Sequence, residues 1–141
     1  MSDKPSLIER DEELLRHAQR YRTASSGAIE AELDVLGSDY QANGYTTRAQ
    51  ADDLGELLGL GQGQLLVDLG SGCGWPGLYL GSKYGCRVLS VDPVAEGSRV
   101  AADRAAADGL AARAWSVVGF GEDLPVRSGV ADAVIHTDVV C

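Results

Sequence analysis

The chain has 141 residues, enough for one domain with a core of its own and too few for two. Hydrophobic residues make up 45% and charged residues 23%, a globular mix that excludes a disordered polymer, and no apolar run is long enough to cross a bilayer. The net charge of −9 repels phosphate backbones and argues against a nucleic acid partner. Arg16, Arg20 and Arg22, interleaved with acids, read as a solvated helix face rather than a basic patch.

The opening segment, MSDKPSLIERDEELLRH, has no apolar core, so no secretory signal is expected in it. Ser6 and Glu9 form a capping box, and Leu7, Leu14, Leu15 and Ala18 follow at helical spacing to about Thr23. A second helix carries Ile29, Leu33 and Leu36 on one face and stops at Gly37. After a turn at Asn43-Gly44, Thr47 and Gln50 make another capping box. Its helix carries Ala51, Leu54, Leu57 and Leu58 and ends at Gly59.

From residue 64 the rhythm changes. LLVDL (65–69), RVLSV (87–91), WSVVG (115–119) and ADAVIHT (131–137) are short apolar runs of the kind buried on both faces of a parallel sheet. One helix opens at Pro76 and closes at Gly85, and another runs from about Val94 to Gly109. Strands alternating with helices of this length predict right-handed βαβ units. The expected organisation is a helical extension or lid over residues 1–60 and an α/β, Rossmann-like parallel sheet over 61–141.

Cys73, Cys86 and Cys141 are odd in number and lack CxxC spacing, which argues against a disulfide framework or a zinc site and fits a reducing cytoplasm. Cys73, inside the glycine loop, reads as a small residue tolerated in a tight turn rather than a nucleophile. Trp75 and Trp115 read as packing residues. His17 and His136 are too far apart in sequence and context to suggest a metal.

The chemistry concentrates in DLGSGCGWPG. One frame is GxGxxG, from Gly72 through Gly74 to Gly77; the other is D-x-G-x-G-x-G, from Asp68 through Gly70 and Gly72 to Gly74. Ligands of such sheets sit beyond the carboxyl ends of the strands. Those ends carry Asp68 and the glycine loop, then Asp92, then GFGEDLP (119–125), then His136, Thr137 and Asp138. Asp68 separates the frames. A pyrophosphate against the next helix would face its carboxylate, whereas a cofactor with an ammonium and a sulfonium would welcome it. S-adenosylmethionine is such a cofactor. Asp92, 24 residues after Asp68, can accept bonds from both ribose hydroxyls, a feature shared with nicotinamide enzymes.

Residues 64–140 resemble the N-terminal half of a class I S-adenosylmethionine-dependent methyltransferase, with VDLGSGCGWPG similar to its first motif, SVDPV to its second and GFGEDLPVRSGVADAVIHTDVV to its acidic segment before the fourth strand. The resemblance implies a small-molecule acceptor. It also implies cofactor contacts from Asp68, Gly70, Ser71, Gly72, Asp92, Pro93 and Thr137. Members place an acid just before the segment that here reads GEDLP, to receive the adenine amino group. Phe120 and Gly121 stand there instead, leaving that contact to Glu122, Asp123 or the backbone, with Phe120 packing on the ring. Tyr45 falls where relatives line the methionine end. His136 is a candidate base or donor, set against a hydrogen-bonded histidine at a strand end.

The family's sheet has seven strands, so the resemblance implies a fold cut short after the fourth. Strand four then has an apolar edge without lysine or proline, which predicts a homodimer through it. Two other readings remain: a non-catalytic module that keeps the cofactor fold, and a nicotinamide oxidoreductase.

Overall fold

A computed structural model of the chain describes residues 6–22, 25–42 and 44–137. Thr23, Asn43, Asp138 and Cys141 lie outside the described residues, so the helix end, half of the turn, one strand-end acid and one cysteine named above do too.

Three helices precede the sheet: α1 (Leu7–Arg22), α2 (Ser26–Leu36) and α3 (Arg48–Leu57). The capping boxes form. Ser6 N–H donates to Glu9 at 2.7 Å, and Glu9 N–H donates back to the Ser6 hydroxyl at 3.3 Å. Thr47 and Gln50 make the same reciprocal pair at the start of α3. Gly37, at φ +69°, closes α2 in the left-handed conformation expected of a residue after a helix end.

Then come β1 (Leu65–Leu69), α4 (Gly77–Tyr84), β2 (Arg87–Asp92), α5 (Ala95–Ala107), β3 (Ala114–Val118) and β4 (Ala133–Ile135). All pairings are parallel, in the order β3-β2-β1-β4. The strands lie where the apolar runs placed them, though β4 spans three residues rather than seven.

The register aligns Ala133, Leu66, Val88 and Ala114 in one row. This row joins Leu78 and Leu80 of α4 and Ala101 and Ala105 of α5 in the core. Because side chains alternate along a strand, Val134, Val67, Leu89 and Trp115 form a row on the opposite face. There the expectation of strands buried on both faces is corrected: Trp115 is 46% and Val134 50% exposed. Both outer strands, unlike β1 and β2, leave one face open. Trp75, by contrast, is buried between Tyr40 and Tyr79, with ring centroids 5.2 and 5.4 Å away.

α3 packs on α4 through Gly55, where a Cβ would stand 2.2 Å from the Tyr84 ring; only a missing side chain allows that approach. α1 packs on α5 and reaches the carboxyl end of the sheet. Its inward face is Leu14, His17, Ala18 and Tyr21, while Leu15 is exposed. Of the stripe expected from spacing, Leu14 is half-buried and Ala18 buried while Leu15 faces out, because this helix covers a cavity as well as a core.

Candidate functional site

Gly70 N–H donates to Val91 O at 2.8 Å, tying the start of the glycine loop to the end of β2. Asp92, 4% exposed, continues that tie. Its Oδ2 accepts the Gly72 N–H and its Oδ1 the Val94 N–H, each at 2.8 Å. Burial pushes the Asp92 carboxyl up from its ordinary range, while those two N–H groups and nearby His17 act the other way.

Asp68 lies beneath the loop rather than in it. Fully buried, it accepts the Gly77 N–H at 2.9 Å on Oδ2, and its Oδ1 has no partner among the described residues. Burial pushes this carboxyl up to about 8, with Asp92 adding to the shift and the Gly77 N–H opposing it. Gly77 explains itself here: a Cβ would stand 2.6 Å from Asp68 Oδ2, so the first turn of α4 can sit on β1 only with glycine. Gly72, at φ +52°, adopts a left-handed conformation costly to a branched residue, and a Cβ there would meet the Tyr21 hydroxyl at 2.9 Å.

Beyond these carboxyl ends lies a cavity of about 350 Å³, within the range of small-ligand sites. Gly70, Ser71, Gly72 and Cys73 form its floor, and Asp92, Pro93 and Val94 one wall. Thr137 and Trp75 contribute from the ends of β4 and the loop. Glu13, His17, Arg20 and Tyr21 of α1 face it, and Gln41, Ala42 and Gly44 close another side. Two residues of this lining, Ser71 and Gln41, each carry a buried side-chain oxygen, Oγ and Oε1, with no hydrogen-bond partner among the described residues. The Cys73 thiol is pushed up to about 12 by burial, which leaves it inert as a nucleophile.

The structure thus brings together Gly70, Ser71, Gly72, Asp92, Pro93 and Thr137, with Asp68 behind them. It does not bring in the others. Tyr45 is 82% exposed and lines a separate hollow with Leu54 and Leu57. Phe120, Gly121 and Glu122 are exposed on the β3–β4 connection, outside the cavity lining. His136 is exposed at the end of β4, also outside it. Among the described residues no cluster of three metal-ligating side chains occurs.

Spacing did not single out the contributions of α1 and of the 38–42 loop. The signal in α1 was available, since His17 and Tyr21 share the period that buries Ala18. The loop had no such signal, because its shape comes from a distant carboxylate. Glu32 of α2 accepts from the Ser38 hydroxyl and the Tyr40 N–H on Oε1, and from the Ala42 N–H on Oε2. Arg104 of α5 binds Asp39 and stacks 4.1 Å over the Tyr40 ring. α1 is held across the site by two ion pairs, Arg10 with Glu122 and Arg22 with Glu96.

Comparisons with known proteins bear on the family and the fold. A family model described as a methyltransferase domain matches residues 67–141. No curated protein sequence matches. Among solved structures, a geranyl diphosphate methyltransferase in complex with S-adenosylmethionine is 26% identical at a TM-score of 0.64, covering 85% of this chain and 46% of that one. The geranyl diphosphate C-methyltransferase of Streptomyces coelicolor A3(2), with Mg²⁺, geranyl diphosphate and S-adenosylhomocysteine, is 21% identical at a TM-score of 0.65, covering 87% and 53%. An RNA methyltransferase from Salinibacter ruber, with S-adenosylhomocysteine, is 22% identical at a TM-score of 0.60, covering 64% and 58%. The chain spans 46% to 58% of the length of these three structures. With the family model matched over more than half its length, the chain belongs to the methyltransferase domain family and has the fold of the class I S-adenosylmethionine-dependent methyltransferases.

Proposed function

We propose that the chain binds S-adenosylmethionine and serves methyl transfer to a small-molecule acceptor. The observation that carries this reading is the meeting of Gly70, Ser71, Gly72 and Asp92 around one cavity at the carboxyl ends of β1 and β2. When bound, this cofactor supplies a sulfonium methyl group open to displacement by an N, O, C or S nucleophile.

The chain's own residues then do the following. Asp92 uses the lone pairs left by its two backbone contacts to accept ribose hydroxyls. Gly70 to Gly72 offer backbone to the methionine end, and Asp68 fixes the helix that follows by holding the Gly77 N–H. Pro93 borders the adenosine. Helix α1 acts as a lid, its Arg10 pinned to Glu122, that keeps water from the reacting centre. Displacement at a sulfonium needs alignment more than proton transfer, so no base is assigned.

The net charge of −9 favours a small acceptor over RNA. Buried, unpaired Cys73 and Cys86 suit the reducing cytoplasm, and among the described residues no helix is long and apolar enough to cross a membrane. The exposed apolar side chains of the outer strands, Val134 and Trp115, support self-association of the chain. The test of cofactor class is a thermal-shift titration with S-adenosylhomocysteine and with NADH. A melting temperature raised by the first alone supports the reading, and one raised by NADH alone overturns it.

A further inference from the structure

Gln41 combines three properties that no other described residue shares. It is the one described non-glycine residue at positive φ, +56°, in the left-handed region that a side chain of this kind rarely adopts. Its carboxamide oxygen is buried with no hydrogen-bond partner among the described residues. And it lines the cavity. A strained backbone and an orphaned acceptor each cost free energy.

The loop is built to hold this arrangement. The Glu32 carboxylate takes the N–H groups on either side, Tyr40 at 2.8 Å and Ala42 at 3.1 Å, so residue 41 sits at the apex of a clamped turn. Tyr40 is wedged between Trp75 and Arg104. Trp75 Nε1 donates to Thr46 O at 2.9 Å, which ties the same stretch to the α4 end of the glycine loop. Asp92 and its neighbours bound the cavity from β2 instead. Gln41 therefore lines the cavity from the loop between α2 and α3.

We propose that Gln41 is a ligand-contact residue whose Oε1 accepts a hydrogen bond from the methionyl ammonium of the bound cofactor. An acceptor without a donor selects a ligand that brings one. The amino-acid end of S-adenosylmethionine brings a charged N–H group, its strongest donor, while its ribose hydroxyls go to Asp92 in the reading above. The inference rests on the cofactor reading above, and its test is arranged so that the two fail separately.

The experiment is calorimetry on the full chain with two probes, S-adenosylhomocysteine, which carries the ammonium, and 5′-methylthioadenosine, which lacks the amino-acid end. Gln41→Gly removes the acceptor and suits the left-handed backbone. It is expected to weaken S-adenosylhomocysteine about 10- to 100-fold, the range for a hydrogen bond to a charged group. The affinity for 5′-methylthioadenosine stays unchanged. The ligand-free variant melts higher than the parent, since glycine relieves the strain at φ +56°. Failure of the parent chain to bind either probe overturns the cofactor reading itself. If the parent binds both, an unchanged affinity for S-adenosylhomocysteine in Gln41→Gly overturns the contact, and an equal loss for both probes assigns the residue to the shape of the cavity and overturns it as well.

Discussion

The Gly72 N–H donates to Asp92 Oδ2 at 2.8 Å, so the glycine loop after β1 and the carboxylate at the end of β2 are one unit. The second oxygen of that carboxylate holds Val94, at the threshold of α5. The proposed ribose ligand is thus also the brace of its own site. Asp92→Ala strips two buried N–H groups of their acceptor, and each unsatisfied donor costs about 1–3 kcal/mol. The variant is expected to unfold at lower denaturant than the parent and to lose affinity for S-adenosylhomocysteine. Unchanged affinity by calorimetry would remove Asp92 from the ribose.

Gly72→Val tests the loop as a cradle. Valine resists φ +52°, and its Cβ stands 2.9 Å from the Tyr21 hydroxyl. The phenol can swing aside, being the end of a long side chain on the lid helix, whereas the ligand's space cannot be recovered. The variant is expected to fold with a lower melting temperature and to lose binding of S-adenosylhomocysteine altogether. Normal binding in a folded Gly72→Val protein sinks the cradle.

The strands and the glycine loop were legible because each rests on a short-range signal. A run such as LLVDL reports burial, and DLGSGCG reports a turn without side chains. Asp68 was legible as an acid before the loop. Its orientation, down onto the Gly77 N–H, was not, since that depends on how α4 lands on β1. Tyr45 failed to join the cavity for a related reason: Trp75 captures the Thr46 carbonyl and turns the chain so that Tyr45 faces solvent. Gln41 lay beyond reach because its conformation is set by Glu32, nine residues earlier on another element. Periodicity reads what a residue does for its own helix or strand, and these residues act between elements.

The exposed Val134 and Trp115, at the two outer strands of one row, predict how the 141-residue chain behaves in solution. β4 is an edge of the sheet among the described residues, and Val134 and Trp115 are each about half exposed. Apolar edges without charge recruit other strands. Light scattering at micromolar concentration is expected to give a mass above the 14.8 kDa of one chain. A single species at that mass defeats the association.

Asp68 gives the fold a pH dependence whose sign is fixed. Its carboxyl is pushed from the ordinary 3.8 up to about 8 in the folded chain, first by burial and further by Asp92. The folded state therefore keeps the proton over a range in which the unfolded state has released it. This group's contribution to stability is fully present below about pH 4 and is lost as pH rises to 8. Asp68→Asn keeps a carboxamide oxygen for the Gly77 N–H and cannot ionise. Burial raises Asp92 as well, so the parent and the variant share that part of the slope. The difference between their melting temperatures isolates Asp68. Asp68→Asn is expected to gain on the parent steadily from pH 4 to pH 8 and to hold that gain above it. Parallel melting curves across this range would mean that Asp68 is ionised in the folded chain, its Oδ1 satisfied by a donor such as an internal water.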